Sequence, residues 1–214
     1  MFKKITLAAL ILIISAVNIF AADEPAHPQN FVVAEIPIFS QKLRFKLPTD
    51  WQHAHTSQND NSYLIEFIPK DEDIKNWKNL FSIQAFKDFD PTVSPEDIAN
   101  NVANNFAKDC PQNSIYNKIG EQVLDGYDAF EAIIGCAALS NDHATNLKKG
   151  MSEISYYIFI KGQKDLYFAQ KSIRGAGFPF ENFPDSVKKS IDEIKNHLPI
   201  EFCNLDSAQG KCQK

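Results

Sequence analysis

This 214-residue sequence predicts an α+β domain: a mainly antiparallel, curved sheet of about six to eight strands with two principal helices packed on it. Three observations point there. Strand-like runs are joined by short hairpin signals, above all Asp125-Gly126, a pair suited to the primed turns that connect antiparallel strands. One helix interrupts the strand series at Ser94-Pro95, and a second follows the last strand, from about Pro184 to His197. Strands first, with few helices and hairpin connections, is the α+β pattern and not the alternating one of parallel sheets.

The elements follow in order. Lys3 and Lys4, the apolar run Ile5 to Phe20 and the small residues Ala21 and Ala22 make residues 1–21 a secretory signal peptide, cut after Ala21 or Ala22. A retained anchor would need about 20 apolar residues, and this run is shorter and contains Ser15 and Asn18. Residues 22–30, with Pro25 and Pro28, read as a flexible leader; residues 31–198 read as a single domain. Phe31 to Phe39 is strand-like, and Leu43, Phe45 and Leu47 alternate with Lys42, Arg44 and Lys46 in a half-buried strand. The polar stretch His53 to Ser62 is expected to be a loop. Tyr63 to Ile68 and Leu80 to Phe86 are strands, with a short helix expected around Asp71 to Trp77. Ser94 as N-cap, Pro95 at the first helical position and Asp97 three residues after the cap start the main helix, and Ile98, Val102 and Phe106 with Ala99 and Ala103 give it an apolar stripe. Ile115 to Leu124 pairs with Tyr127 to Leu139, and Met151 to Lys161 with Leu166 to Ile173. Ala129 to Ala138 and Tyr156 to Ile160 are apolar on both sides, so the sheet is expected either to curl or to be covered on both faces there.

Charge and cysteines narrow the surroundings. The formal charge of −5 becomes −7 once the leader peptide with Lys3 and Lys4 is lost, a sign that repels phosphate backbones and anionic lipid. Nucleic acid is not an expected partner, and neither is a stable membrane anchor after cleavage. Four cysteines in an exported chain imply two disulfides. Three pairings are possible; Cys110 with Cys136 and Cys203 with Cys212 is the expected one, the second pinning the tail 199–214. The spacing of the cysteines and histidines lacks a zinc pattern.

No GxSxG, HExxH, P-loop, dinucleotide or EF-hand pattern is present, and no cofactor is implied. His53 and His55 would share a face in an extended segment and offer two imidazoles, with Asp60 as a third group, but two ligands make no metal site and a solvated loop is the simpler reading. Arg174-Gly175-Ala176-Gly177 reads as a turn rather than an anion cradle. Glu66 interrupts one apolar strand, and Ser82 and Gln84 the next. If those strands are neighbours, the polar side chains share a face with Trp77 at its rim, which is either a small binding pocket around Glu66, Trp77 and Gln84 or a wetted sheet face.

The segments Leu47-Pro48-x-x-Trp51, Glu66-Phe67-Ile68-Pro69 and Asn76-Trp77-x-x-Leu80-x-x-Ile83-Gln84, followed by Ser94-Pro95, resemble a family of small exported proteins of Gram-negative bacteria over about residues 43–110. The strand order more distantly resembles the PsbP/Mog1-like α/β/α sandwich, whose members are binding and assembly modules. The resemblance implies an exported fold and carries no catalytic residues. The expectation is thus a periplasmic or secreted non-enzymatic binding module for a protein or envelope component. The alternatives are a small secreted hydrolase or ligand-binding enzyme with its site near Glu66, Gln84 and Trp77, or a secretion-system substrate.

Overall fold

The computed structural model describes residues 30–142, 147–179, 185, 188–189 and 200–205. In chain order these contain β1 (Phe31–Ile38), β2 (Gln41–Pro48), β3 (Trp51–Gln58), β4 (Ser62–Pro69), β5 (Asn79–Phe86), α1 (Pro95–Asp109), β6 (Ser114–Leu124), β7 (Tyr127–Cys136), β8 (Met151–Lys161), β9 (Leu166–Ala176) and β10 (Glu201–Asn204). Seven strands form one sheet in the order β3-β4-β5-β9-β8-β7-β6, and three form another in the order β1-β2-β10. Every neighbouring pair is antiparallel.

Side-chain alternation makes the large sheet the middle layer. One face turns Ile65, Phe67, Phe81, Ile83, Ile133, Ile158 and Ala169 toward Leu43, Phe45 and Phe202 of the small sheet, and this is the main core. The ring of Phe45 stands edge-on to Phe81 at 5.1 Å and to Phe67 at 5.7 Å, a geometry that adds electrostatic complementarity to area burial. The other face carries α1, whose Ile98, Ala99 and Ala103 rest on Phe130, Ala132, Ile134, Tyr157 and Phe159.

Local chemistry explains the joints. Asp125 and Gly126 take φ of 51° and 90°, both in the left-handed region a primed hairpin turn demands, and the Asp125 carboxylate accepts the Phe202 N–H at 2.8 Å. The capping box of α1 is complete: the Asp97 N–H donates to Ser94 Oγ, while the Ser94 N–H donates to the Asp97 carboxylate. Cys110 caps the helix and is disulfide-bonded to Cys136 at the end of β7, with their Cα atoms 5.9 Å apart. Cys203 is disulfide-bonded as well; Cys212, its expected partner, lies outside the described residues.

Two buried polar groups tie the loops together. The Asp165 carboxylate, 3% exposed, accepts from the Ser40 and Asp88 N–H groups and from the hydroxyls of Ser40 and Tyr167. Burial would raise its pKa, yet these hydrogen bonds together hold it below the ordinary aspartate range. Gln41, fully buried, donates to Asn204 Oδ1 and the Cys203 carbonyl and accepts the Gln163 N–H, joining the two sheets.

Several expectations are corrected. The sheet expected to hold about six to eight strands has seven, but a second sheet of three accompanies it. Residues 53–58, expected to be loop, belong to β3, an edge strand whose position requires little apolar content. The short helix around Asp71 to Trp77 is a turn, because Asp73 captures the N–H groups of Lys75 and Asn76 and Glu72 captures those of Lys78 and Asn79, which competes with helix formation. Gly175, expected in a turn, is in β9, in register with Ser152. Among the described residues α1 is the one helix with defined bounds, against two expected. Of the closing helix over residues 184–197 only Asp185, Lys188 and Lys189 are described, and all three are helical. The leader peptide and residues 22–29 lie outside the described residues, and Glu201–Asn204 contributes β10.

Candidate functional site

The strands bearing Glu66 and Gln84 are neighbours. Glu66 on β4 is in register with Ser82 on β5, and Leu64 with Gln84. Strand alternation therefore puts Glu66, Ser82 and Gln84 on one face, the face that carries α1. The row through Glu66 runs His55, Glu66, Ser82, Gln170, Tyr157 and Ala132 across β3, β4, β5, β9, β8 and β7. Since α1 sits on β6, β7 and β8, the Glu66 end of the row lies beyond it.

This band has an inner and an outer layer. Beneath, Ser155 and Ser172, both fully buried, share a hydrogen bond of 2.6 Å, and Gln170 Nε2 donates to Ser172 Oγ at 3.0 Å. Burial pushes the Tyr157 hydroxyl far above the ordinary tyrosine range, with Glu153 adding to the effect. At the surface Glu66, Gln84 and Gln170 are half-buried and His55 is exposed. Burial raises the Glu66 carboxyl above the usual glutamate range, against the opposing pull of His55 and Arg174.

Trp77 occupies the end of the same face, 7% exposed, in a cluster with Ile68 and Leu80. It serves as a floor: the Arg174 guanidinium lies 3.6 Å above its ring and forms an ion pair with Glu153 at 2.8 Å. A planar cation stacked on indole and paired with a carboxylate is fixed in orientation. Glu153 was not singled out from the sequence, and Arg174 was read only as the start of a turn; an arginine in an apolar strand four residues beyond Gln170, hence on its face, was the available signal.

The histidine pair is separated. A β-bulge between His53 and His55 sets His53 opposite Phe67 and His55 opposite Glu66, so the two imidazoles lie on opposite faces. His53 stands edge-on to Phe67 and hydrogen-bonds Thr56. Strict alternation, assumed in the sequence reading, fails at the extra residue. Among the described residues no three His, Cys, Asp or Glu side chains converge as a metal site.

Two pockets lined by described residues lie elsewhere, and neither includes Glu66, Trp77 or Gln84. One of about 370 Å³ lies between the start of α1 and the β6–β7 hairpin, and one of about 200 Å³ lies beside the disulfide, bordered by Phe106, Leu139, Glu153 and Arg174. No described helix is long and apolar enough to cross a membrane.

Comparison with known proteins adds the following. A protein-family model matches residues 40–125, from the turn before β2 to the β6–β7 hairpin. No curated protein matches the sequence. Among solved structures, the chain is similar to the cyanobacterial PsbP protein of Synechocystis, at 12% identity over 76% of this chain and 94% of that one, with a TM-score of 0.42. It is similar also to a point mutant of the protein Mog1, at 10% identity over 83% and 97% of the two chains and a TM-score of 0.47. A third is the Ran-binding protein Mog1p of Saccharomyces cerevisiae, at 9% identity over 79% and 95%, with a TM-score of 0.44.

Proposed function

We propose that the protein is an exported, non-enzymatic binding module that meets a protein or envelope component through the polar band, with Glu66 and Gln84 as contacts and Trp77 holding Arg174 in place beside them. The observation that carries this reading is the layering of the band. Hydrogen-bonding groups with capacity for a partner, Glu66, Gln84 and His55, lie at its surface, while the hydroxyls that could act as nucleophiles are buried and engaged with one another. Export by a signal peptide over residues 1–21, a leader over 22–30, one domain over 31–198 and a tail pinned through Cys203 and Cys212 belong to the same reading. The Cys110–Cys136 bridge supports it, since such bonds persist in oxidising compartments.

The hydrolase reading is weaker for a geometric reason. His55, Glu66 and Ser82 form a row, but with the carboxylate in the middle. A serine nucleophile needs its imidazole base at hydrogen-bond distance with the carboxylate behind it; here His55 and Ser82 are two strands apart, about 10 Å at ordinary strand spacing, and Ser82 is 1% exposed.

The test is affinity capture from envelope and host-cell extracts with residues 22–214, beside the same chain carrying Glu66→Ala and Gln84→Ala. A specific protein recovered by the first and lost by the second is the expected result. Recovery of nothing above a control with a scrambled surface would overturn it. Fractionation into cytosol, periplasm and medium tests export, which an uncut chain in the cytosol would refute.

A further inference from the structure

The pocket beside the disulfide lies where the last turn of α1, the end of β7 and the start of β8 converge, with Arg174 of β9 closing it. Its volume is about 200 Å³. Phe106, Leu139, Leu147 and the Cys110–Cys136 bridge make up the apolar part of its wall, and all but Phe106 are buried. Asn105 and Asp109, exposed on α1, complete the lining on that side. The bridge fixes the separation of α1 from β7 here, with the two Cα atoms 5.9 Å apart.

The polar end is built from one ion pair. Glu153 and Arg174 are in register across β8 and β9. Arg174 Nε donates to Glu153 Oε2 at 2.9 Å, and Nη2 stands 2.8 Å from the same oxygen. The other oxygen, Oε1, accepts no hydrogen bond from a described residue. Every sealed side-chain nitrogen and oxygen described has a partner, so Oε1 is open to solvent, and Glu153, 14% exposed, lines this pocket. The pair leaves no net charge at the polar end. An anion would compete with Glu153 for Arg174, and an ammonium would leave water for a carboxylate whose charge is already offset. A neutral N–H or O–H suits Oε1, since hydrogen bonds to an ionised acceptor are the stronger ones.

We propose that this pocket binds a small neutral molecule with an apolar body and one hydrogen-bond donor, the body against Phe106, Leu139 and Leu147 and the donor on Glu153 Oε1. The volume sets the size of the body. An apolar cavity of about 150 Å³ takes up benzene, so about 200 Å³ admits a bicyclic ring of about nine non-hydrogen atoms, the size of indole. Trp77, beneath the Arg174 guanidinium at 3.6 Å, holds the ion pair in place, so the acceptor is oriented before the ligand arrives. Glu66 and Gln84 are not in the lining. The site therefore stands or falls separately from the contacts proposed above, although Arg174 borders both.

An NMR titration of the full oxidised protein with indole is expected to saturate with a Kd of about 1 mM or tighter, the range open to a ligand of this size. N-methylindole, which lacks the donor, binds at least about tenfold more weakly, the scale of one hydrogen bond to a charged group. Leu139→Trp, which fills the pocket, abolishes indole binding, and Glu66→Ala with Gln84→Ala leaves it unchanged. The proposal is overturned by an absence of saturable indole binding, by equal affinity for N-methylindole, or by tighter binding of benzoate or benzylamine. Binding that survives Leu139→Trp, or that is lost in the chain carrying Glu66→Ala and Gln84→Ala, overturns it equally. If Leu139→Trp lacks folded far-UV circular dichroism, nuclear Overhauser contacts between indole and the wild-type protein decide instead: contacts to Phe106 and Leu139 are expected, and contacts confined to other residues refute the site.

Discussion

The two faces of the seven-stranded sheet are built from the same strands, yet they differ in what holds them. Toward the small sheet the residues are aromatic and aliphatic almost throughout, and Phe45, Phe67 and Phe81 interlock ring against ring. On the opposite face the larger apolar cluster lies beneath α1 and a small one of Ile68, Trp77 and Leu80 lies at the far end, and the rest includes the hydrogen-bonded band from Glu66 to Ser155. One face derives its stability from removing apolar area from water, which is non-directional and large. The other relies on partners that must meet at defined geometry, each contributing little net. A surface of the second kind can exchange its outer partners for those of another molecule at small cost to the fold.

The sharpest way to break this contrast is Phe81→Ala, expected to cost about 3–5 kcal/mol because a buried ring leaves a cavity bordered by Phe45 and Phe67. Urea denaturation would measure it, and a loss below about 1 kcal/mol would show that the core is not centred there. The α1 face has a covalent substitute for area. Replacing Cys110 and Cys136 together by alanine opens a loop with a sequence separation of 26 and is expected to cost about 3–4 kcal/mol in the chain-entropy account. Loss of α1 protection in amide hydrogen exchange, with protection of the β4–β5 core retained, would locate the effect.

Asp165 tests the loops that join the layers. Asp165→Asn is expected to cost about 2 kcal/mol at pH 7, because a charged acceptor of four hydrogen bonds is replaced by a neutral one. Its carboxyl is depressed in the folded protein, so its contribution is present above the unfolded value near 4 and is lost as pH falls through the folded value. The gap between wild type and variant should narrow as pH falls below the unfolded value in acid-denaturation curves. The smallest effect belongs to Glu66→Gln with Gln84→Ala, within about 0.5 kcal/mol of wild type. The raised Glu66 carboxyl favours folding below its unfolded value near 4 and loses that contribution as pH rises through its folded value, so the variant gains slightly on wild type at neutral pH. Stability unchanged and capture lost is the pair of results that separates a contact surface from a structural one.

The strands with strong alternation or continuous apolar character, β2, β4, β5, β7 and β8, were legible because their pattern reports burial directly. The capping box at Ser94 and the Asp125-Gly126 turn were legible because their signals are local. β3 was not, since an edge strand can be polar on both sides, and neither was the bulge that separates His53 from His55. Of the band, the sequence indicated Glu66, Ser82, Gln84 and Trp77; Arg174, Glu153 and the Ser155–Ser172 pair join it only through the β9 and β8 registers.

Near-neighbour chemistry in the chain determined most of the strands, though not β3 or β10, and also where α1 begins and where the β6–β7 hairpin turns. Tertiary structure alone decided that the strands divide into sheets of seven and three, that Lys171 and Trp51 meet across two intervening strands, and that Asp165 and Gln41 become buried junctions. The reason is range: caps, turns and alternation are settled within a few residues, whereas register and layer packing depend on which distant segments bury area together, and no local spacing encodes that choice.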